Sequence, residues 1–286
     1  MKIVIIQEAG RHEANKEFRE ALNLKRALDR IPGVETIVWG LNYPNYTTPF
    51  NEIEKWCDVI FLIENYTSGW IPDVIAYSNK LKIYWSIDSH CVLDQHVQMS
   101  KLFKINIHLN STESYIPHFS FCDKSYWFPN AYPDDLIYHM PEVAKSHDIG
   151  FCGNYLNRAD HVNFLSKYNI QKDIFVIGEA MVRSINSYKI HFNRNISNDI
   201  NYRTFETTGC KTLLMTNHTP GLETLFKAGE EIIVYDSIQD LDEKVQYYLD
   251  NEAERNKIET AGWERAKKDH TYYERAKTLV NIINEY

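Results

Sequence analysis

The sequence predicts an α/β protein built on parallel sheets. Three observations carry this. Short, almost continuous apolar runs recur: KIVIIQ (2–7), CDVIFLIEN (57–65) and KLKIYWSID (80–88) are examples. Strands apolar along their whole length are buried on both faces, as in parallel sheets covered by helices. Segments with helical spacing alternate with them, and the alternation restarts at DIGFCGN (148–154), so two such units are expected.

In chain order, KIVIIQ is the first strand and is followed by a loop containing Gly10. NKEFREALNLKRALDRI (15–31) has helical spacing through Phe18, Leu22 and Leu28, and Pro32 with Gly33 ends it. ETIVWG, CDVIFLIEN, KLKIYWSID, INIHLNS and SYWFPN give five further strands. AYPDDLIYHMPEVAKSH (131–147), with two prolines and mixed polarity, reads as a connector, and the Asp134–Asp135 pair in it as a turn or helix start. The second half reads as strand DIGFCGN, helix RADHVNFLSKY, strand DIFVIGE (173–179), strand region SYKIHFNRNIS (187–197), strand KTLLMTN (211–217) and strand EIIVYDS. Helical patterns follow in DLDEKVQYYLDNEAERNKIETAGWERAKK and TYYERAKTLVNIINEY. Two α/β halves joined by a connector predict a cleft between them. Ligands of such sheets sit beyond the carboxyl ends of the strands, so the loops near Gly10, Asp88, Gly153, Gly178 and Gly221 are the candidates.

Composition narrows the function. The 286 residues carry a net charge of −8 with no long basic run, which disfavours a protein that grips nucleic-acid phosphates. The five cysteines are widely spaced without a CxxC pair, so neither a disulfide framework nor a zinc site is expected. The opening MKIVIIQEAGRHE passes straight from a strand into charge without a signal-peptide cleavage region, and the apolar runs are too short to span a membrane. A cytoplasmic location is the expectation. The first strand is followed by EAGRHEAN and no GxGxxG, which argues against a dinucleotide-dependent hydride enzyme; GxSxG, Walker A and HExxH are also absent.

The residues of greatest interest lie in NYRTFETTGCKTLLMTNHTPGLETLF (201–226). A helix ending near Gly209 carries Asn201, Arg203 and Glu206 on a polar surface; Glu206 can accept both hydroxyls of a ribose, or pair with Arg203 three residues before it. In TNHTPGLETLF a strand ends, a short loop follows and a helix starts. Backbone N–H groups at Gly221 and Leu222 can face a phosphate and Glu223 a sugar hydroxyl; alternatively, Thr219 caps the helix and Glu223 is an ordinary first-turn acid.

Together these segments, with EIIVYDS and AGWERAKKDHTYYERA, resemble the C-terminal domain of GT-B glycosyltransferases, and among them the CgeB-like, spore-maturation-type group. Their pattern runs N-x-R-x-F-E-x-x-x-x-G, an apolar strand, then T-P-G-x-E-x-x-F. IYWSIDSHCVLDQH and SYWFPNAYP resemble that group's N-terminal W-x-I-D-T-H segment and interdomain strand. The resemblance implies two Rossmann-like domains facing across a cleft. The first, 1–140, takes the acceptor; the second, 141–270, takes a nucleotide-sugar donor, and the helix 271–286 packs back on the first. It implies Glu206 on the donor ribose, the loop of Thr219, Pro220, Gly221 and Leu222 with its amides around the diphosphate, Glu223 near the transferred sugar and Arg158 as a neutralising cation. It implies no bound metal and no cofactor beyond the donor, with uridine the commonest base. One position departs. Where retaining members place an acid eight residues before the second glutamate of their E-x7-E signature, this chain has Asn198 beside Asp199, which leaves the stereochemistry open.

On the acceptor side, Asp88 and His90 end the fourth strand and either can serve as the base of an inverting transfer; as an alternative, Asp88 and Ser89 cap the next helix. Gly10 and His12, after the first strand, are further acceptor-side candidates, and His96 a weaker one. The acceptor can be a polysaccharide, a protein, a small molecule or a modified nucleic-acid base. Two other functions fit the same features: a nucleotide-sugar epimerase, and a non-catalytic nucleotide- or sugar-binding protein.

Overall fold

The computed structural model describes all residues from Met1 to Tyr286, and its contacts divide them into two units: Met1–Pro129 with Tyr272–Tyr286, and Asn130–Thr271. The first unit holds β1 (Lys2–Ile6), α1 (Glu20–Leu28), β2 (Glu35–Trp39), α2 (Phe50–Trp56), β3 (Val59–Ile63), β4 (Leu81–Ser86), α3 (Ser89–Leu102), β5 (Ile107–Asn110) and β6 (Lys124–Trp127). The second holds β7 (His147–Gly153), α4 (Ala159–Phe164), β8 (Ile170–Ile174), α5 (Gly178–Asn186), β9 (Tyr188–Phe192), α6 (Tyr202–Gly209), β10 (Leu213–Asn217), α7 (Leu222–Leu225), β11 (Ile233–Tyr235), α8 (Ile238–Asp250) and α9 (Glu252–Asp269). The last helix, α10 (Tyr272–Asn284), belongs to the first unit, where it lies along α1 and Arg275 Nε donates to Pro129 O at 2.8 Å.

Both sheets are wholly parallel. The first has the order β2-β1-β3-β4-β5-β6 and the second β11-β10-β9-β7-β8. The apolar runs account for this. Ile3 to Ile6 and Val59 to Ile63 pair in register (Ile3 with Val59, Ile6 with Leu62) and are buried throughout, as a central strand covered on both faces must be. In the second unit Ile149, Phe151, Ile190, Phe192, Leu213 and Met215 form the corresponding core with Val162 and Leu241. Each sheet reverses its order beside its first strand, between β1 and β3 in one and between β7 and β9 in the other.

Four elements differ from the sequence expectation. The helix expected over 15–31 begins as α1 only at Glu20, because the Gln7 side chain at the end of β1 accepts the Ala21 N–H at 2.9 Å and fixes the first turn there. The strand expected at 173–179 lies at Ile170–Ile174; β8 is an edge strand, only partly buried, and Phe175 in a left-handed conformation (φ 58°) ends it. The helical run from Asp240 breaks at Asn251 (φ −115°, ψ 71°) into α8 and α9. The connector at 131–147 belongs by its contacts to the second unit, where Lys145 Nζ donates to Tyr188 O, Lys211 O and Thr212 Oγ1 at 3.0–3.1 Å. No helix is long and apolar enough to cross a membrane.

Candidate functional site

In the second sheet the carboxyl ends of β7 and β9 part at the reversal of strand order, where open α/β sheets take their ligands. A cavity of about 240 Å³ opens there, between Cys152, Asn154, Arg158, Asn193, Asn201 and Arg203. Arg158 precedes α4. Its Nε donates to Arg194 O at 3.0 Å and its Nη1 to Asn154 O and Leu156 O at 3.3 and 3.4 Å. Arg194 Nη1 donates to Asn157 O at 3.0 Å and stands 3.3 Å from His161 Nδ1. Neither guanidinium has a carboxylate partner. Burial first, then the charges of Arg194 and Arg203, hold the Arg158 guanidinium below its ordinary value. Such a cluster is a site short of negative charge, and an anion relieves it.

Arg203 differs from these two. Its Nε donates to Cys152 O at 2.9 Å and its Nη1 to Glu206, one turn along α6. Burial alone would lower the Arg203 guanidinium; the adjacent Glu206 outweighs burial and raises it. The side chains are 20% and 11% exposed, so the pair is largely removed from water. The i,i+3 pairing open at the level of sequence is therefore made.

A polar network joins the loop after β9 to the loop after β10. Asn195 Nδ2 donates to Thr219 Oγ1 at 3.1 Å, Asn193 Nδ2 to Thr216 Oγ1 at 3.2 Å, and Asn201 Nδ2 to Asn193 Oδ1 at 3.1 Å. Asn217 Oδ1 accepts the Asn195 N–H at 2.7 Å. Thr219 is thereby buried and bonded to Asn195; it does not cap a helix, since the residue preceding α7 is Gly221 (φ 86°). The Leu222 N–H is bonded to Thr219 O at 3.1 Å, so it is not free for a phosphate as expected. Pro220 and Glu223 are exposed and stand outside the cavity's lining. Asn198 lies in a left-handed turn with Ser197, closed by an Ile196–Asp199 bridge.

Arg158, Asn201 and Arg203 are thus brought to one cavity, Glu206 joins it through Arg203, and Thr219 through Asn195. Sequence reasoning missed Arg194, Asn193, Asn195 and Asn217. The signal was there: four asparagines and an arginine in NRNISNDIN directly after an apolar strand. In the first unit Gly10 is buried and His12 exposed in the loop after β1. Asp88 is exposed at the start of α3 without a side-chain capping bond, and His90 is half-buried with its Nδ1 enclosed and unpaired. His96 is wholly buried, with Nδ1 2.7 Å from Tyr84 OH, and faces the core. A larger cavity, about 460 Å³, lies in the second unit beside Tyr138, His139, Trp263 and Lys267. It adjoins Gly209, where the chain turns back to enter β10, on the side away from the strand ends.

Under the first cavity His191 ties three elements together. Its Nε2 accepts the Cys152 N–H at 3.3 Å, which makes Nδ1–H the donor to Thr207 Oγ1 at 2.5 Å. Burial, then Arg203, lowers its pKa to about 3. A histidine neutral in the fold and normal when unfolded contributes stability above its unfolded pKa. That stability is lost as pH falls from about 6.5 toward about 3. Between pH 7 and 5 this loss amounts to about 2 kcal/mol. Urea unfolding at the two pH values, followed through Trp263, the only tryptophan between Asn130 and Thr271, should show that loss in the wild type and its absence in His191→Asn. Equal losses in both proteins would refute it.

Two parallel-sheet α/β units, each reversing its strand order beside its first strand, form the architecture of the GT-B class of fold. Three solved structures share it across the chain: HepE of Anabaena, in complex with UDP and glucose (10% identity, 100% of both chains, TM-score 0.74); sucrose-phosphate synthase of Thermosynechococcus elongatus (11% identity, 99% and 98% of the chains, TM-score 0.70); and the β-glucosyltransferase of phage T4 (13% identity, 98% and 99%, TM-score 0.73). No curated protein matches the chain in sequence. The glycosyl transferase-like family model matches residues 139–281, half of the chain, and the protein belongs to that family.

Proposed function

We propose that the protein transfers a sugar from a nucleoside-diphosphate sugar to an acceptor hydroxyl, and that it does so in the cytoplasm and without a metal. The observation that carries this is the pair Arg158 and Arg194, both half-buried at the β7–β9 switch point and neither ion-paired with a carboxylate. In this reading they take the diphosphate, whose charge grows as the bond to the sugar breaks, so the arginines stabilise the leaving group more than the bound donor. Glu206, steered by Arg203, takes the ribose hydroxyls. The Gly221 N–H adds to the diphosphate site and Glu223 approaches the transferred sugar. Asp88 and His90 supply the acceptor-side base, with Gly10 and His12 nearby in the sequence of strand-end loops. HepE was solved with UDP, which favours uridine as the base here. The CgeB-like group is the branch of the family that the N-x-R-x-F-E and T-P-G-x-E segments favour.

Thermal shift with UDP, ADP and GDP tests the donor site. A ligand at 100 times its Kd stabilises by about 2.7 kcal/mol, so one diphosphate should raise the Tm of the wild type and none that of Arg158→Ala. An unchanged wild-type Tm with all three at millimolar concentration overturns the reading. For Asp88→Asn and His90→Ala, UDP affinity should stay unchanged while UDP release from UDP-glucose falls; wild-type turnover in both removes the base assignment.

A further inference from the structure

The first sheet has its own switch point, between β1 and β3, and Glu64 is the residue that follows β3 there. One oxygen of Glu64 is heavily used. Its Oε2 accepts the Ile87 and Asp88 N–H groups at 2.9 and 2.8 Å, and His96 Nε2 stands 3.1 Å away. Tyr84 OH, 2.7 Å from His96 Nδ1, backs the imidazole, and both residues are buried. The other oxygen, Oε1, has no protein donor, and the side chain is 19% exposed. The surrounding loop is fastened to the end of β1. Gln7 Nε2 donates to Glu64 O at 2.9 Å, Asn65 Oδ1 accepts the Glu8 N–H at 2.6 Å, and Glu8 accepts the Tyr66 N–H at 2.7 Å and the Thr67 hydroxyl at 3.3 Å.

A carboxylate fixed by two backbone N–H donors on one oxygen, with the His96 imidazole beside it, presents the second as a rigid acceptor of hydrogen bonds. It selects ligands that bring donors and disfavours anions. We propose that Glu64 is the acceptor-orienting residue: Oε1 takes a hydroxyl hydrogen of a neutral, polyol-type acceptor, while Oε2 holds the Ile87–Asp88 turn that carries Asp88 and His90. This rests on the glycosyl-transfer reading and names the class of acceptor, a neutral saccharide or polyol. A merely structural Glu64 would hold the turn and nothing else.

The variant Glu64→Gln separates the two. Its amide oxygen can still take the Ile87 and Asp88 N–H groups, while its NH2 replaces Oε1 with a donor. Ligand-observed NMR with methyl glucoside, methyl galactoside, methyl mannoside and methyl glucuronide supplies the probes. At least one neutral glycoside should bind the wild type more tightly than the glucuronide does. Glu64→Gln should weaken that neutral glycoside by about tenfold or more and narrow its advantage over the glucuronide, with the Tm nearly kept. Absence of any glycoside signal with the wild type overturns the proposal, as does unchanged affinity and preference in the variant. UDP affinity, measured in the same samples, should be equal in both proteins. A wild type that binds glycosides but no UDP points to failure of the donor reading, not of Glu64.

Discussion

Glu206→Ala is expected to abolish UDP binding and to cost about 3–5 kcal/mol of stability, the usual penalty for removing one partner of a buried ion pair. Both effects come from one arrangement. Arg203 reaches from α6 to the carbonyl of Cys152 on β7 and depends on Glu206 for its only carboxylate contact. Without Glu206 the guanidinium stays in the core beside Arg158 and Arg194, three positive charges with only the weaker influence of Asp199 on Arg158 opposing them. Loss of UDP binding by this variant alone would therefore say little about the ribose. Two further variants resolve it. Glu206→Gln keeps the size and one acceptor oxygen, and should lose about tenfold or more in UDP affinity with a smaller stability loss. The double variant Arg203→Met/Glu206→Leu replaces the pair by apolar groups of similar volume. It should recover most of the stability, as such replacements often do, and still bind no UDP. Calorimetric titration with UDP beside urea unfolding gives both axes. A double variant that regains UDP affinity together with stability would make Glu206 a structural residue only.

Where the sequence sufficed and where it did not follows from how local each cause is. β1, β3 and β4 were legible because central parallel strands need apolar residues at every position, and that requirement is written in the run itself. β8 was displaced because an edge strand carries no such demand: its place is set by pairing Ile149 with Ile170 through Gly153 with Ile174, a tertiary fact. The break at Asn251 was hidden for a similar reason, since asparagine is tolerable within a helical pattern. At the site, Arg203 and Glu206 were legible by spacing on one helix. The bond of the Leu222 amide to Thr219 O was not legible, because it depends on Gly221 adopting φ 86°, which a glycine permits without announcing. Arg194 and Glu64 escaped because their meaning lies in which partners they lack: a guanidinium bonded to one carbonyl and an imidazole but to no carboxylate, a carboxylate oxygen with no donor. Those are properties of the assembled loops.

Gly150→Ala should be strongly damaging in the second unit, although it adds a single methyl group. Gly150 lies in β7, the strand between β9 and β8. Tyr188, at the start of β9, crosses over that position so that its hydroxyl can donate to Asp173 on β8. A Cβ on residue 150 would lie 2.0–2.2 Å from three carbons of the Tyr188 ring. The ring is fully buried and packs on His191 at 5.4 Å, so it has no open space to enter. Overpacking of a core ordinarily costs about 1–3 kcal/mol, and a clash with a whole enclosed ring belongs at or above the top of that range. The damage should also reach the ligand. Two residues on, Cys152 supplies the N–H held by His191 and the carbonyl held by Arg203, so a shift of β7 misplaces the guanidinium beside Glu206. Tyr188→Phe should not rescue Gly150→Ala, because the ring and not the hydroxyl makes the clash. Tyr188→Ala should rescue in part: the double variant should be less destabilised than the sum of the single ones by more than about 1 kcal/mol, the sign expected of directly clashing neighbours. Additivity in urea unfolding would mean that Tyr188 is not what keeps residue 150 a glycine.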